Sequence, residues 1–374
     1  MSLNILIGSN VHWWNAEAAY AAATAELLQK AGNRVFVLTR PGSINAETLQ
    51  KRGLTVITDI DLNTFNPFRL IRSFQKLKQF LRTNQIQIVN PHRSEGFFIY
   101  ILLKWKLQSF KLVRTRGTTR SVRRSGLNRK IYCDWVDAHI CTGQVVLERI
   151  LSSFPIPIHK QHVIYYPIEL PAFSSDDITR YNDEFKISRD QKTLCIVGRI
   201  SPIKGHELLL HSFRQLLESF PHCTLLVLYK HPDPKRPELL VLEEKCKELQ
   251  IESQVRFIGP RTDIREIMKF ADVGIVSSLD SEVICRVAVE FFSAKTPVVA
   301  FETGCLPEII QDGRNGIVVK RKDINGLAEA LRVLLSDEGL LKRLGAGALQ
   351  SAEHRFSQRL FLEKTLKVFQ SVLN

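Results

Sequence analysis

Residues 279–301 read LDSEVICRVAVEFFSAKTPVVAF, from Leu279 to Phe301. Two short apolar runs frame this stretch, Val273 to Ser277 just before it and Pro297 to Phe301 at its end. Such runs predict buried parallel strands, and the segment from Arg286 to Ala294 between them predicts a helix. Strand, helix and strand in that order belong to an open α/β sheet, in which ligands bind beyond the carboxyl ends of the strands. Glu282 falls in the loop at such an end, and Glu290 falls on the helix that follows. Two carboxylates there can accept hydrogen bonds from paired hydroxyls, the groups that a sugar or a ribose presents.

Working outward, the second half of the chain predicts strands at 194–198, 224–229, 255–258, 273–277, 298–301 and 316–319, with helices between them. The first half alternates in the same way. Its strands are predicted at 4–7, 34–38, 54–57, 86–90, 111–115 and 138–141, with helices such as 16–31, 67–82, 95–107 and 145–151. Gly32 supplies the stop after the first helix. This alternation predicts doubly wound parallel sheets, and 374 residues are enough for two such domains. The Pro-, Ser- and Asp-rich segment 167–177 is the expected linker.

Composition is that of an ordinary globular chain, 44% hydrophobic and 24% charged. The amino terminus opens on LNILIG without a basic segment and apolar core before it, so no secretory signal is read. No apolar run approaches the length that spans a bilayer. The seven cysteines are scattered without a CxxC pair, which predicts buried free thiols in a reducing compartment. A cytoplasmic protein is expected. Charge is unevenly placed: residues 1–170 carry 23 Lys and Arg against 10 Asp and Glu, whereas the rest carries 29 against 28. The two halves are therefore expected to face different partners.

Gly198-Arg199-Ile200-Ser201-Pro202-Ile203-Lys204-Gly205 follows the predicted strand 194–198 and precedes a predicted helix. Two cations at the mouth of a strand, with a helix amino terminus behind them, make a cradle for a diphosphate. Arg offers a planar fork and Lys a mobile point charge. Taken with Glu-x7-Glu from Glu282 to Glu290 and the following PVVA, this GR-x4-KG element resembles the donor site of retaining GT-B glycosyltransferases, above all glycosyltransferase family 4. The elements Glu302-Thr303-Gly304-Cys305-Leu306-Pro307-Glu308 and Asp312-Gly313-Arg314-Asn315-Gly316 follow in the family's order.

The resemblance implies a GT-B fold, two Rossmann-like doubly wound parallel-sheet domains facing a cleft. An acceptor-binding domain over 1–170, a nucleotide-sugar domain over 171–356 and a terminal helix over 357–374 returning to the first domain are implied. It further implies sugar transfer from a nucleoside-diphosphate sugar with retained configuration, a UDP-sugar being slightly favoured. No separate cofactor or metal is implied. Arg199 and Lys204 would neutralise the leaving diphosphate, Glu282 would contact the donor sugar, and Glu290 would hold the ribose hydroxyls. Gly198, Gly205, Gly259 and Arg261 join Glu290 as implied donor contacts. So do Val283, Ile284 and Cys285, which stand where the family commonly has Gly-Phe-Gly or Gly-x-Ser. His92 and Arg116, each following a predicted strand, lie in loops that the family turns to acceptor or reacting sugar.

The loop GSNVHWWNAEAA after the first strand lacks GxGxxG, which counts against a dehydrogenase. Its Trp13 and Trp14 either stack on a sugar ring or fill a domain interface. The segment 67–82 predicts a basic amphipathic helix, with Leu70, Ile71, Phe74, Leu77 and Leu81 on one side and Arg69, Arg72 and Lys76 opposite. From Gly96 to Cys133 there are ten Lys and Arg and no acidic residue. Such a segment suits an anionic leaflet, and so a lipid-linked or lipopolysaccharide-core acceptor; a soluble small acceptor is the alternative. Nucleic acid is not expected, because neither stacking aromatics nor a reading helix accompanies the charge. Asp59-Ile60-Asp61 spells DxD, but lies far from the phosphate elements and reads as a turn. A monomer or weak dimer is expected. Two rival functions share these features: a sugar-nucleotide epimerase or phosphorylase-like enzyme, and a non-catalytic sugar- or nucleic-acid-binding protein.

Overall fold

The computed structural model describes the chain except for residues 1, 65, 172–175, 231–235 and 281, and the side chains of 176–179. The linker expected over 167–177 therefore falls partly outside the described residues. Seven strands make the first sheet: β1 Asn4–Ser9, β2 Arg34–Thr39, β3 Thr55–Ile57, β4 Ile88–Pro91, β5 Lys111–Arg116, β6 Ala138–Cys141 and β7 Gln161–Val163. Six make the second: β8 Thr193–Gly198, β9 Thr224–Tyr229, β10 Val255–Ile258, β11 Val273–Val276, β12 Val298–Phe301 and β13 Gly316–Val319. All ladders are parallel. The strand orders are β3-β2-β1-β4-β5-β6-β7 and β10-β9-β8-β11-β12-β13. Both are Rossmann-like, and this is the GT-B pair of sheets that the sequence predicts.

The reason lies in the strands' composition. β11 and β12 are buried along their whole length, as strands covered by helices on both faces must be. Apolar side chains of the second sheet, among them Ile196, Leu225 and Phe301, share one core with Phe213 and Leu331 of the helices His206–Leu216 and Ile324–Ser336. Each such buried side chain contributes about 1.5–3 kcal/mol relative to exposure. β7 escaped the sequence pattern because Gln161-His162-Val163 is short, mostly polar and half-buried at the sheet edge.

Contacts divide the chain into two units, Met1–Pro167 with Gln358–Asn374, and Ile168–Ser357. The last helix, Gln358–Leu373, belongs to the first unit, where the Phe361 ring packs 5.3 Å from Tyr20. The helix Pro67–Thr83 starts on Pro67, with the Asn66 side chain accepting from the amides of Phe68 and Arg69. It buries Ser73, Leu77 and Leu81. Ile71 corrects the sequence reading: it is 60% exposed, because six residues at about 100° each put it a third of a turn from Leu77.

Candidate active site

In each sheet the order reverses beside the first strand of its unit, between β1 and β4 and between β8 and β11. Open α/β sheets bind ligands outside the carboxyl ends at that point. In the second unit the loop after β8 carries Arg199 and Lys204, and the loop after β11 carries Glu282. The two loops are laced together. Leu279 N donates to the Ile203 carbonyl at 2.7 Å, and Ser277 Oγ donates to the Lys204 carbonyl at 2.8 Å. Gly205, at φ +67°, permits this approach, since a Cβ there would stand 2.1 Å from the Ser277 carbonyl oxygen.

Side chains complete the arrangement. Lys204 Nζ forms an ion pair with Glu282 Oε1, which also accepts from Ser278 Oγ at 2.6 Å. Glu282 is 9% exposed, so its charge is held by partners rather than by water. Glu290, on the helix Arg286–Ser293, pairs with Arg286 one turn earlier at 2.9 Å. Lys230, at the end of β9, feels both groups. Burial, then Arg286, hold its pKa below the ordinary lysine value, with Lys204 acting the same way and Glu290 opposing them. Arg199, Tyr229, Lys230 and Arg236 line a small pocket. Strand ends thus bring cations and two carboxylates to one side of one sheet, as recognition of a diphosphate with hydroxylated neighbours requires.

The remaining predicted donor contacts sort differently. Gly198 ends β8, and Gly259 follows β10, where an ideal Cβ would meet the Tyr229 hydroxyl at 3.8 Å, an ordinary contact. Ile284 and Cys285 have buried side chains, so their backbone is what they can present to a ligand; Val283 is half-buried. Cys285 takes a left-handed conformation, φ +48°, and its Sγ lies 2.9 Å from that of Cys305. The Arg261 guanidinium is committed within its own unit to Asp263, at 2.7 Å, and to Glu184, which hold its pKa above the ordinary arginine range. Sequence reading passed over Lys230, Arg286 and Ser278. The Arg286–Glu290 spacing of four on a helix was the available signal for one of them.

In the first unit His92 begins the loop after β4 and is 4% exposed. Its Nε2 meets Asn90 Oδ1 at 2.9 Å, and Asn90 Nδ2 donates to the Val113 carbonyl and to Thr115 Oγ1. Burial, then Arg114, push its pKa down to about 3, so the imidazole is neutral near pH 7. Arg116, at the end of β5, is buried. Trp13 is 64% exposed, whereas Trp14 lies under the Arg52 guanidinium. Asp59 pairs with Lys76, and Asp61 accepts from the Asn63 amide, as in a turn. All seven cysteines are buried free thiols.

Comparison with known proteins gives these residues a setting. Residues 18–170 match Glycosyltransferase Family 4, and residues 177–351 match Glycosyl transferases group 1. N-acetyl-alpha-D-glucosaminyl L-malate synthase of Bacillus anthracis is 24% identical over 210 residues, 56% of this chain and 53% of its own. The chain spans about half the length of the curated relatives it matches. Among solved structures, a glycosyltransferase from Rickettsia africae superposes with TM-score 0.88 at 18% identity, over 100% of this chain and 99% of that one. HepE of Anabaena, solved in complex with UDP, gives 0.87 at 17% over 99% of this chain and 100% of its own. The chain is thus built of a Glycosyltransferase Family 4 domain followed by a Glycosyl transferases group 1 domain, on the GT-B fold.

Proposed function

We propose that the protein transfers a hexosyl unit from a nucleoside-diphosphate sugar, with UDP slightly favoured as the nucleotide, and retains the anomeric configuration. The observation that carries this reading is the Lys204–Glu282 ion pair at the neighbouring ends of β8 and β11, with Arg199 on the same loop as Lys204. UDP is favoured because HepE holds it on a like fold. The second unit holds the donor. Arg199 and Lys204 neutralise the departing diphosphate, so positive side chains fill the role a metal fills elsewhere. Glu282 contacts the donor sugar, and Glu290 accepts from the ribose hydroxyls. The acceptor hydroxyl oxygen bonds to the anomeric carbon as the bond from that carbon to the diphosphate oxygen breaks. The hydroxyl proton passes to the leaving phosphate. Closing the site to water protects the donor from hydrolysis.

The acceptor belongs to the first unit and is lipid-linked or of lipopolysaccharide-core type, met at the cytoplasmic face of a membrane. Besides the basic bias, exposed apolar side chains support this. Phe98, Leu102 and Trp105 follow one another at helical spacing on Phe97–Leu107 beside Lys106, and Phe68 and Ile71 stand among Arg69 and Arg72. No described helix is long and apolar enough to cross a membrane, so contact would be peripheral. The test is incubation with UDP-sugars and lipid-linked acceptors, with the product linkage read by NMR. A product of the donor's configuration supports the proposal; sugar-nucleotide interconversion without acceptor would replace it with the epimerase reading.

A further inference from the structure

β5 places Arg114 and Arg116 two residues apart, hence on one face of the sheet. Both are almost fully buried, at 1% and 3% exposure. A buried guanidinium needs compensation, and the two find it unequally. Near Arg114, Arg93 pairs with both Glu17 and Glu95. Arg114 is the second cation of that group, which is thereby neutral. Three of its hydrogen bonds reach the Pro91 and Arg93 carbonyls and Ser94 Oγ, and Phe97 lies face-on at 4.6 Å, although the Arg114 Nε, like that of Arg116, is buried without a partner.

Arg116 is the surplus cation. Among the described residues no carboxylate lies within ion-pair distance of it. Its Nη2 donates to the uncharged Arg120 carbonyl, and its Nε is buried without any hydrogen-bond partner. The groups around it do not supply the missing charge. Arg149 adds a second cation, Glu17 is already engaged by Arg93, and burial keeps the Cys141 thiol protonated with a pKa of about 12. The neighbouring loop, 117–125, contributes Arg120, Arg123 and Arg124 and no acid. Arg149 ties that loop down by donating to the Thr119 carbonyl at 3.1 Å.

We infer that Arg116, with Arg149 and the arginine-bearing loop 117–125, is a recognition subsite for a phosphate group on the acceptor. The phosphate oxygens take the position now held by the Arg120 carbonyl and satisfy Nε. More than one guanidinium converges, which suits the two charges of a phosphate monoester better than the single charge of a carboxylate. Assignment to the acceptor rests on the transferase reading above; the binding itself does not.

The test is titration of the full chain with inorganic phosphate, in wild type, Arg116→Gln, Arg149→Gln and Lys204→Ala. Affinity is expected to fall about tenfold or more in Arg116→Gln, several-fold in Arg149→Gln, and to survive in Lys204→Ala. Without phosphate, Arg116→Gln should raise Tm, since it removes an uncompensated buried charge. Arg149 is exposed, so its variant reports on binding whether or not Arg116→Gln folds. Vesicles of phosphatidylcholine with and without phosphatidic acid separate the sources. Capture lost in Arg116→Gln and Arg149→Gln assigns the phosphate to a lipid headgroup; phosphate binding without capture assigns it to a soluble acceptor. Malate serves as the carboxylate control and should bind more weakly than phosphate. Equal phosphate affinity in wild type and Arg149→Gln, or loss in Lys204→Ala alone, overturns the subsite. Loss of UDP binding in Lys204→Ala tests the donor reading separately.

Discussion

Gly304 lies so close to Glu282 that a Cβ built on it would stand 1.8 Å from the Glu282 carbonyl oxygen. The next residue, Cys305, donates its amide to that same carbonyl at 2.7 Å. The turn after β12 therefore holds the backbone of the acidic residue whose side chain Lys204 engages. At φ +57° Gly304 also adopts a conformation that side chains disfavour.

Gly304→Ala is accordingly expected to destabilise the fold by about 2 kcal/mol or more, from left-handed strain together with displacement of the 282 loop. Donor affinity should fall with it. Urea unfolding and nucleotide titration of the purified variant measure the two effects. A variant with wild-type stability would show that the contact yields without cost.

Three buried histidines set a pH dependence of stability. Burial pushes the pKa of His92 down to about 3, and those of His139 and His206 to about 4. The unfolded chain takes up these protons near pH 6.5 and the folded chain does not, so stability is full above about 6.5 and is lost as pH falls. The slope is at most about 1.4 kcal/mol per pH unit for each imidazole. Glu17 and Asp272, raised by burial, act in the opposite sense nearer their own pKa values. The imidazoles are therefore best read between about pH 7.5 and 5.5. The urea midpoint should drop across that window, and less steeply in His92→Gln.

Membrane contact through the first unit predicts that vesicles rich in anionic lipid bind the protein and neutral vesicles do not. Trp105→Ser with Phe98→Ser should weaken binding at least several-fold without lowering Tm, because both side chains are exposed. Added salt should weaken it further. Co-sedimentation of wild type and double variant gives the answer.

How far the sequence carried depended on whether a signal was local. β12 was legible in Pro297 to Phe301 because a buried parallel strand is a continuous apolar run. β7 was not, being three residues with one apolar side chain. Arg199, Lys204 and Glu282 stood out by position at strand ends, and Glu290 by its spacing from Glu282 onto the helix that follows. That Lys204 and Glu282 would form an ion pair was hidden by their separation of 78 positions in the sequence. Lys230 entered the site only through the strand order, which sets β9 beside β8. Arg261 looked free for a ligand until Tyr181 and Phe185 of a distant helix brought Glu184 beside it.

The central claim is that Arg199, Lys204, Glu282 and Glu290 enclose a nucleoside diphosphate and its sugar. Thermal shift with UDP, GDP, ADP and their sugars, on wild type, Lys204→Ala and Glu290→Ala, addresses it most directly. One nucleotide series should raise Tm in wild type. In each variant its affinity should fall about tenfold or more, since hydrogen bonds to charged groups are worth about 1.5–3 kcal/mol. Equal shifts in wild type and both variants would put the donor elsewhere and contradict the claim.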